Sequence, residues 1–156
     1  MAFFTWHPSP IGPLLLISDG TALTGLQIDT GSEHMNQQDD LPVFCQTKQW
    51  LDDYFSGICR PIDFPLSPVG TTFQKRVWQL LLTIPFGETI TYGSLARQLS
   101  CTMSAQAVGQ AVGKNPLLIL IPCHRCLGAN RKLTGFSAGL EKKKWLLRHE
   151  GSPFTE

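Results

Sequence analysis

The side chains best suited to chemistry in this sequence are Cys123 and His124, which follow Pro122 and a short apolar run. A cysteine reacts as its thiolate, and a free cysteine is only a few per cent ionised at pH 7. His124 is placed in sequence to take the proton, directly or through a water molecule, provided that a carboxylate orients its ring. Glu150 supplies that carboxylate if the fold brings it back, and Arg125 adds a positive charge. A buried, inert cysteine beside an unrelated histidine fits the same residues, so both interpretations stay open.

The pair Cys123 and Cys126 also has the CxxC spacing of redox dithiols and of some metal sites. The βαβ pattern of a thioredoxin-like site is missing, and Leu127 stands where haem attachment requires a histidine. Zinc needs two further ligands at suitable spacing. The remaining candidate ligands, in the first part of the chain, are His7, His34, Cys45 and Cys59. Their spacing matches no metal-site pattern, and we therefore expect neither a bound metal nor a cofactor.

Length and charge narrow the class of protein. The chain has 156 residues, with 13 Lys and Arg against 12 Asp and Glu, and a net charge of +1. This length suits one domain, or one domain with a small companion, and a hydrophobic content of 42% is enough to bury a core. No apolar run approaches the ~20 residues of a membrane span, and the N terminus lacks the features of a signal peptide. We expect no membrane partner, reduced thiols, and a cytoplasmic location, or a nuclear one in a eukaryote.

Residues 1–66 are predicted to form a small β-rich domain with one helix. The predicted elements are strands over 11–18 and 23–29, a polar loop over 30–40 and a helix over 46–56. Gly57 stands where that helix would stop. Prolines at positions 61, 65 and 68 indicate a linker over 60–70, which leads into a second domain over 67–156.

The second domain is predicted to be mostly helical, so the chain as a whole is predicted to be α+β. The predicted elements are a helix capped by Thr72 and ended by 85–87, short helices over 92–99 and 104–112 with a break at 100–103, a buried extended run over 117–121, a polar turn region over 128–135 and a last helix over 140–149. The two short helices resemble a helix-turn-helix, although an ordinary helical hairpin gives the same pattern.

The second of these short helices has an unusually bare face. Its small residues are Ala105, Ala107, Gly109 and Ala111. Small side chains let another surface approach the backbone closely, and that surface is either a second helix or a nucleic-acid groove.

The second half of the chain resembles the O6-alkylguanine-DNA alkyltransferase family, also called methylated-DNA–protein-cysteine methyltransferases. The motifs that carry the resemblance are Ile121-Pro-Cys-His-Arg125, Gly113-Lys-Asn-Pro116, Leu133-Thr-Gly-Phe-Ser-Ala-Gly-Leu140, Trp145-Leu-Leu-Arg-His-Glu-Gly151 and Pro85-Phe-Gly-Glu-Thr-Ile-Thr-Tyr92. The match covers roughly half the chain, and the PCHR tetrapeptide in this setting is highly specific. The first 66 residues match only loosely, as the β-rich domain that usually precedes the active-site domain.

The resemblance implies a single-turnover repair reaction in which an alkyl group moves irreversibly from guanine O6 in DNA to Cys123. Displacement at an alkyl carbon needs a soft nucleophile and hydrogen-bond donors aimed at guanine O6 and N3. The target nucleotide must be flipped out of the duplex. The implied partner is double-stranded DNA containing O6-alkylguanine, approached through the minor groove by a monomer. We expect the Cys123 sulfur to be held ionised at the mouth of a cavity for the extruded purine.

Residue roles follow from the same resemblance. Cys123 is the acceptor, His124 its water-bridged base and Glu150 the carboxylate that orients His124. Asn115 ties the helix before it to the active-site loop. These four residues form the expected catalytic set.

Four further residues are expected to contact the guanine. Tyr92 matches the tyrosine that helps to rotate the target phosphate and donates its hydroxyl to guanine N3. Ser137 lies in the loop that closes the pocket, where its backbone N–H would reach O6. Phe136 stands where many members have tyrosine, so it keeps the aromatic wall without the hydroxyl. Cys126 replaces a commoner valine as a pocket wall, and its proximity to Cys123 leaves oxidation to a disulfide open.

The resemblance also places the second short helix in the minor groove, with Ala105, Ala107 and Gly109 allowing close approach. Arg125 is added to these as a DNA-binding residue. Gln106 stands where the family usually has an arginine that fills the gap left by the flipped base. Glutamine has no positive charge and a different stacking surface, so we expect altered efficiency on duplex DNA.

Other functions remain open at this point. The main alternative is a non-enzymatic alkyltransferase-like protein that binds the lesion. Known binders of that type have another residue in place of the cysteine, whereas Cys123 is present here. Gln106, in place of the usual arginine, keeps this alternative open. A transcriptional regulator would need a further regulatory domain, and a thiol–disulfide oxidoreductase would need the thioredoxin-like context.

Overall fold

The computed structural model describes residues 1–31, 33–34, 36–99 and 104–156. It divides into two compact units, Met1–Val69 and Gly70–Glu156. The first unit holds an antiparallel sheet with a helix, and the second is largely helical, which is the α+β arrangement predicted from the sequence. The predicted break at 100–103 lies outside the described residues.

The first unit is built on a three-stranded antiparallel sheet. Its strands are β1 (Phe3–His7), β2 (Leu14–Ser18) and β3 (Leu23–Ile28), in the order β1-β2-β3. Strand β1 escaped the sequence prediction because the residue it buries completely is Thr5, a polar one. The Thr5 hydroxyl donates to Asp39 Oδ1 at 2.7 Å, a partner 34 residues away that no local pattern indicates.

One helix, α1 (Pro42–Phe55), accompanies the sheet. It begins four residues before the predicted helix because Pro42 fits the first helical turn, where no N–H partner is needed. The segment predicted as a linker over 60–70 is partly fixed to this unit. Leu23 N–H donates to Pro65 O at 2.9 Å, and Ser67 N–H donates to Leu23 O at 2.8 Å.

The second unit contains four helices among its described residues: α2 (Thr72–Leu81), α3 (Tyr92–Gln98), α4 (Ala105–Gly113) and α5 (Leu140–Glu150). The sequence predicted Thr72 as the cap of α2, but the cap is Thr71. Thr71 Oγ1 accepts from Gln74 N–H at 3.0 Å and Gln74 Oε1 accepts from Thr71 N–H at 2.9 Å, so the two residues form a capping box.

Helices α3 and α4, the two helices of the predicted helix-turn-helix, contact each other, and their N-caps are Thr91 and Ser104. The prediction that Ala111 belongs to the bare face of α4 is wrong, because Ala111 is buried and its carbonyl accepts from Trp78 Nε1–H at 3.0 Å. This hydrogen bond ties α4 to α2.

Residues 117–121 are buried, as predicted, but they form turns and not an extended run. Ile119 has a φ of +71°, and Ile121 N–H donates back to Leu117 O at 3.0 Å. The chain then passes through a 3-10 turn, Cys123–Arg125, into a short strand β5 (Cys126–Leu127). Strand β5 pairs in parallel with β4 (Ile90–Thr91), so it lies beside the start of α3. None of the helices in the described part of the chain is long and apolar enough to cross a membrane.

Candidate active site

The 3-10 turn Cys123–Arg125 and the end of α5 bring together three ionisable side chains. His124 Nε2 lies 2.6 Å from Glu150 Oε2, and both side chains are completely buried. Arg125 Nε donates to Glu150 Oε1 at 2.7 Å, and its Nη2 donates to Oε2 at 3.1 Å. The fold therefore brings Glu150 back to His124, as the sequence analysis required.

Glu150 is ionised at neutral pH. Burial by itself raises the pKa of this carboxyl, but hydrogen bonds from His124 and Arg125, with the positive charge of Arg125, outweigh burial and lower the pKa to about 2. The carboxylate uses both of its oxygens on these two partners. It therefore fixes the orientation of the histidine ring and neutralises the guanidinium at the same time.

His124 is neutral in this arrangement, since burial lowers its pKa more than Glu150 raises it. A neutral imidazole carries one proton, and the nearby carboxylate places that proton on Nε2. The other ring nitrogen, Nδ1, is buried and has no hydrogen-bond partner within the described residues. His124 thus presents an unprotonated nitrogen as a base.

Arg125 does not fit its predicted role in DNA binding. It is 6% exposed, and besides Glu150 its guanidinium donates to Ile84 O at 2.6 Å and lies 5.9 Å from the centre of the Phe86 ring. With its donors used inside the protein, Arg125 balances the charge of Glu150 and is not available to a phosphate.

Cys123 is covered in the resting protein, with 3% of its surface exposed. Burial raises the pKa of its thiol to about 11, against smaller opposing effects from Asn115 and the charge of Lys143. The expectation of a sulfur held ionised at the mouth of a cavity is therefore wrong for this state. The thiol is neutral at pH 7, and it ionises only when a base takes its proton.

Asn115 lies where the sequence analysis placed it, between α4 and the active-site turn. Its Nδ2 donates to Ile121 O at 2.8 Å and to Leu117 O at 3.3 Å, and its Oδ1 accepts from Leu117 N–H at 2.9 Å. These bonds close the compact turn that precedes Cys123. The same side chain lowers the thiol pKa through a hydrogen bond.

Lys143 is a buried cation that the sequence analysis missed. Its side chain on α5 is completely buried, and Nζ donates to Cys126 O at 2.7 Å, Thr134 O at 2.9 Å and Gly135 O at 3.4 Å. The available signal was its position on α5, seven residues before Glu150, on the face that points inward. Lys143 joins the backbone next to Cys123 to the loop that precedes α5.

Tyr92 and Cys126 adjoin the same cation. Lys143 Nζ lies 6.0 Å from the centre of the Tyr92 ring. Burial, followed by the neighbouring Cys126, raises the pKa of Tyr92 to about 12, so its hydroxyl keeps its proton and remains a donor. Cys126 is fully buried and its pKa is also raised to about 12.

Phe136 and Ser137 lie next to each other in the loop before α5, and they differ in burial. Phe136 is partly buried, Ser137 is exposed, and Gly139 N–H donates to Phe136 O at 2.9 Å to close a turn. Because Lys143 holds Thr134 and Gly135, both residues follow a segment that is anchored to the site.

The predicted DNA-facing residues lie in the first part of α4. Ala105 and Gln106 are exposed, whereas Ala107 and Gly109 are partly buried. A Cβ atom added at Gly109 would lie 3.6 Å from the Tyr92 ring, which is ordinary contact. The face of α4 thus borders Tyr92, and through Tyr92 it adjoins the buried thiols.

Comparison with known proteins covers both units. Residues 72–152 match the family described as 6-O-methylguanine DNA methyltransferase, DNA binding domain, and residues 3–68 match its ribonuclease-like domain. The chain is 43% identical to a Haemophilus influenzae methylated-DNA--protein-cysteine methyltransferase, over 99% of this chain and 89% of that protein. It is 40% identical to the protein of the same name from Methanosarcina acetivorans, over 96% of this chain and 99% of that protein.

Solved structures agree with this assignment. The crystal structure of Mycobacterium tuberculosis OGT in complex with DNA superposes with a TM-score of 0.86, at 41% identity, over 97% of this chain and 95% of that chain. Both units, the motif around Cys123 and the overall course of the chain thus lead to one assignment. The chain belongs to the 6-O-methylguanine DNA methyltransferase family.

Proposed function

We propose that this protein repairs DNA by transferring the alkyl group of O6-alkylguanine to its own Cys123 in a single turnover. The observation that carries the proposal is the buried His124–Glu150 pair, 2.6 Å apart, next in sequence to a buried cysteine. A thiol in this setting has a base beside it whose orientation is fixed, in a chain of the methyltransferase family.

The reaction starts from a neutral thiol. His124 Nδ1 takes the proton of Cys123, directly or through one water molecule, and Glu150 stabilises the imidazolium that forms. The sulfur attacks the alkyl carbon; an S–C bond forms while the C–O6 bond breaks, and that electron pair stays on guanine. The guanine takes up a proton and becomes the normal base.

Two side chains assist at the guanine. Tyr92 stays protonated, because its pKa is raised, and donates its hydroxyl to guanine N3. The positive charge of Lys143 favours the thiolate as it forms. Cys126, Phe136 and the backbone of Ser137 line the space for the extruded base.

The product is a thioether, which water does not cleave under mild conditions. Cys123 is therefore consumed, and one protein molecule repairs one lesion. To regenerate the free thiol, a second nucleophile would have to attack the S-alkyl carbon and displace Cys123 as a thiolate. Thioethers resist this displacement.

DNA is bound by a monomer through α4, which enters the minor groove. Ala105 and Ala107 allow close approach, and Gln106 occupies the gap that the flipped nucleotide leaves. The relative from M. tuberculosis has been crystallised in complex with DNA, which supports DNA as the partner. Phosphate contacts supply much of the affinity, so binding weakens as salt is raised.

Peptide mass mapping after incubation with an oligonucleotide that carries O6-methylguanine tests this function. We expect a gain of one methylene group on the peptide that contains Cys123, together with restored guanine. Cys123→Ala should abolish transfer and still bind the lesion. Restored guanine without the mass gain, or with the gain on another residue, would overturn the proposal.

A further inference from the structure

Cys126 gives the site a second thiol that the transfer reaction does not use. It is completely buried, and Cys123 is 3% exposed, so both thiols are covered by protein. Lys143 acts on both, since its charge lowers the pKa of each thiol. The other cysteines that the structure describes, Cys45 and Cys59, are exposed and belong to the first unit.

The backbone brings Cys123 and Cys126 close enough for a covalent bond. The 3-10 turn Cys123–Arg125 ends with Cys126 N–H donating to Cys123 O, which closes an i to i+3 turn. Such a turn keeps the first and last Cα atoms within about 7 Å, and disulfides span Cα distances of about 4.4–6.8 Å. Cys123 also raises the pKa of Cys126, as expected for neighbouring sulfurs.

From this geometry we propose that Cys126 is a resolving thiol, which captures oxidised Cys123 in a reversible intramolecular disulfide and so protects the acceptor from irreversible oxidation. The protective role rests on the proposed function of Cys123. Oxidation without a resolving thiol continues from sulfenic to sulfinic acid, and a sulfinic acid is not recovered by ordinary thiols.

The oxidant is a hydroperoxide. The Cys123 sulfur attacks the peroxide oxygen, the O–O bond breaks, and a sulfenic acid and water are formed when the oxidant is hydrogen peroxide. The Cys126 sulfur then attacks the sulfenic sulfur; the S–S bond forms, the S–O bond breaks and a second water leaves. A dithiol reductant reverses the change by two thiol–disulfide exchanges and is itself oxidised to a disulfide.

Peptide mapping of the full-length protein tests the proposal. Trypsin cleaves after Lys114, Arg125 and Arg131, so Cys123 and Cys126 fall in separate peptides, 115–125 and 126–131. After hydrogen peroxide treatment and alkylation of free thiols, we expect these peptides to be joined in a non-reducing digest. If the bond blocks cleavage at Arg125, a single peptide 115–131 appears that is two hydrogens lighter than its dithiol form. Cys123 found as a sulfinic acid with Cys126 alkylated, or linked to another cysteine, overturns the proposal.

Two variants test the protective role. Cys126→Val and Cys126→Ser are treated with peroxide and then with dithiothreitol, and the remaining acceptor capacity of each is divided by its own untreated value. We expect the wild type to recover most of its capacity and both variants to recover several-fold less, with Cys123 as a sulfinic acid. Equal recovery in all three proteins contradicts the role assigned to Cys126.

A parallel methyl-transfer assay on untreated wild-type protein separates this inference from the proposed function. Normal transfer without a link between peptides 115–125 and 126–131 overturns the disulfide alone. A link without any transfer overturns the proposed function and removes the protective role, while the disulfide itself stands.

Discussion

Cys123 combines two properties that oppose each other, since it has to react and yet its thiol is covered and neutral. Burial raises its pKa to about 11, which slows the reaction of the sulfur with small electrophiles because little thiolate is present at pH 7. In the proposed reaction the proton leaves towards Nδ1 of His124, a ring that Glu150 holds in place. The reactivity of Cys123 therefore depends on the groups around it and not on a thiolate that is already formed in the folded protein.

Thiol labelling across a range of pH tests this view. Below its pKa, a thiol gains thiolate roughly tenfold per pH unit, so the rate at which iodoacetamide labels Cys123 should rise about a hundredfold between pH 7 and pH 9. At pH 7 the exposed Cys45 and Cys59 should be labelled well before Cys123. Peptide mapping reads the three sites separately, and a Cys123 rate that is already at its plateau at pH 7 would show a preformed thiolate.

Glu150→Gln tests the role of the buried carboxylate. The amide keeps the size of the side chain but leaves Arg125 without its counter-charge and changes the hydrogen bond to His124 Nε2. Breaking a buried ion pair costs about 3 kcal/mol or more, so we expect a loss of stability of that order and slower methyl transfer. Urea unfolding and single-turnover kinetics measure the two effects. Glu141→Gln, at an exposed position on the same helix, is the matched control and should change neither.

The elements explain why some site residues were predicted from the sequence and others were not. Cys123 and His124 belong to one short motif, Ile121-Pro-Cys-His-Arg125. Glu150 belongs to a second motif, Trp145-Leu-Leu-Arg-His-Glu-Gly151, at the end of a predicted helix. Lys143 was missed because its partners are backbone carbonyls of β5 and of the loop before α5, and no local sequence pattern indicates bonds to main-chain atoms 9 and 17 residues away. Arg125 was misassigned for the same reason, since its carboxylate partner is 25 residues away.

Lys143→Met tests how α5 holds the loop before it. Methionine keeps much of the apolar stem but removes the donors to three carbonyl groups, and an unsatisfied buried group costs about 1–3 kcal/mol. We expect faster amide hydrogen exchange over 134–139 and slower methyl transfer. Lys142→Met changes the adjacent, partly buried lysine and serves as the control. Unchanged exchange in Lys143→Met would show that the loop is held by other contacts.

Gln106→Arg tests the role of α4 on DNA. The exposed side chain in the first turn of α4 gains a planar charged group that fills the gap left by a flipped nucleotide better than an amide does. We expect faster repair of duplex DNA and little change with a free base such as O6-benzylguanine. Gln110→Arg adds the same charge to an exposed position one turn later and is the control for charge alone. Equal acceleration of duplex repair by the two variants would contradict a gap-filling role for position 106. So would an equal effect of Gln106→Arg on duplex DNA and on free O6-benzylguanine.

The whole molecule carries a network whose ionisation ties stability to pH. The folded pKa of Glu150 is lowered from an ordinary value of 4.5 to about 2, so its contribution is fully present above pH 4.5 and is lost as the pH falls towards 2. The pKa of His124 in the folded protein is also lowered, so on acidification this histidine takes up its proton in the unfolded chain first. Acid therefore lowers stability through His124 as well. The pKa of Cys123 is raised from 9.0 to about 11, so its contribution is lost as the pH rises through that interval.

Urea unfolding at several pH values measures this dependence. Between pH 4.5 and pH 2, Glu150 alone should reduce the free energy of unfolding by on the order of 3 kcal/mol. Glu150→Gln should show a shallower acid decline than the wild type, because its side chain does not titrate. If the free energy of unfolding falls equally steeply with acid in the two proteins, other carboxyl groups account for the loss of stability at low pH.

The fold class was predictable because helical and strand periodicities are local, whereas several boundaries were not. Strand β1 buries Thr5 against a distant aspartate, and residues 117–121 fold into turns that the Asn115 side chain closes. In both places a buried polar side chain forms a hydrogen bond that hydrophobic periodicity does not indicate. The same Asn115 bonds place Cys123, so the part of the fold that was hardest to predict is the part that positions the acceptor.

The number of lesions repaired per protein molecule distinguishes single-turnover transfer to Cys123 from catalytic turnover. A fixed amount of protein is mixed with increasing amounts of duplex that carries O6-methylguanine, and both restored guanine and S-methylated Cys123 are counted. We expect the two products to rise together and to stop at one of each per protein molecule. Guanine restored beyond one equivalent, or a plateau at which Cys123 is unmodified, would contradict it.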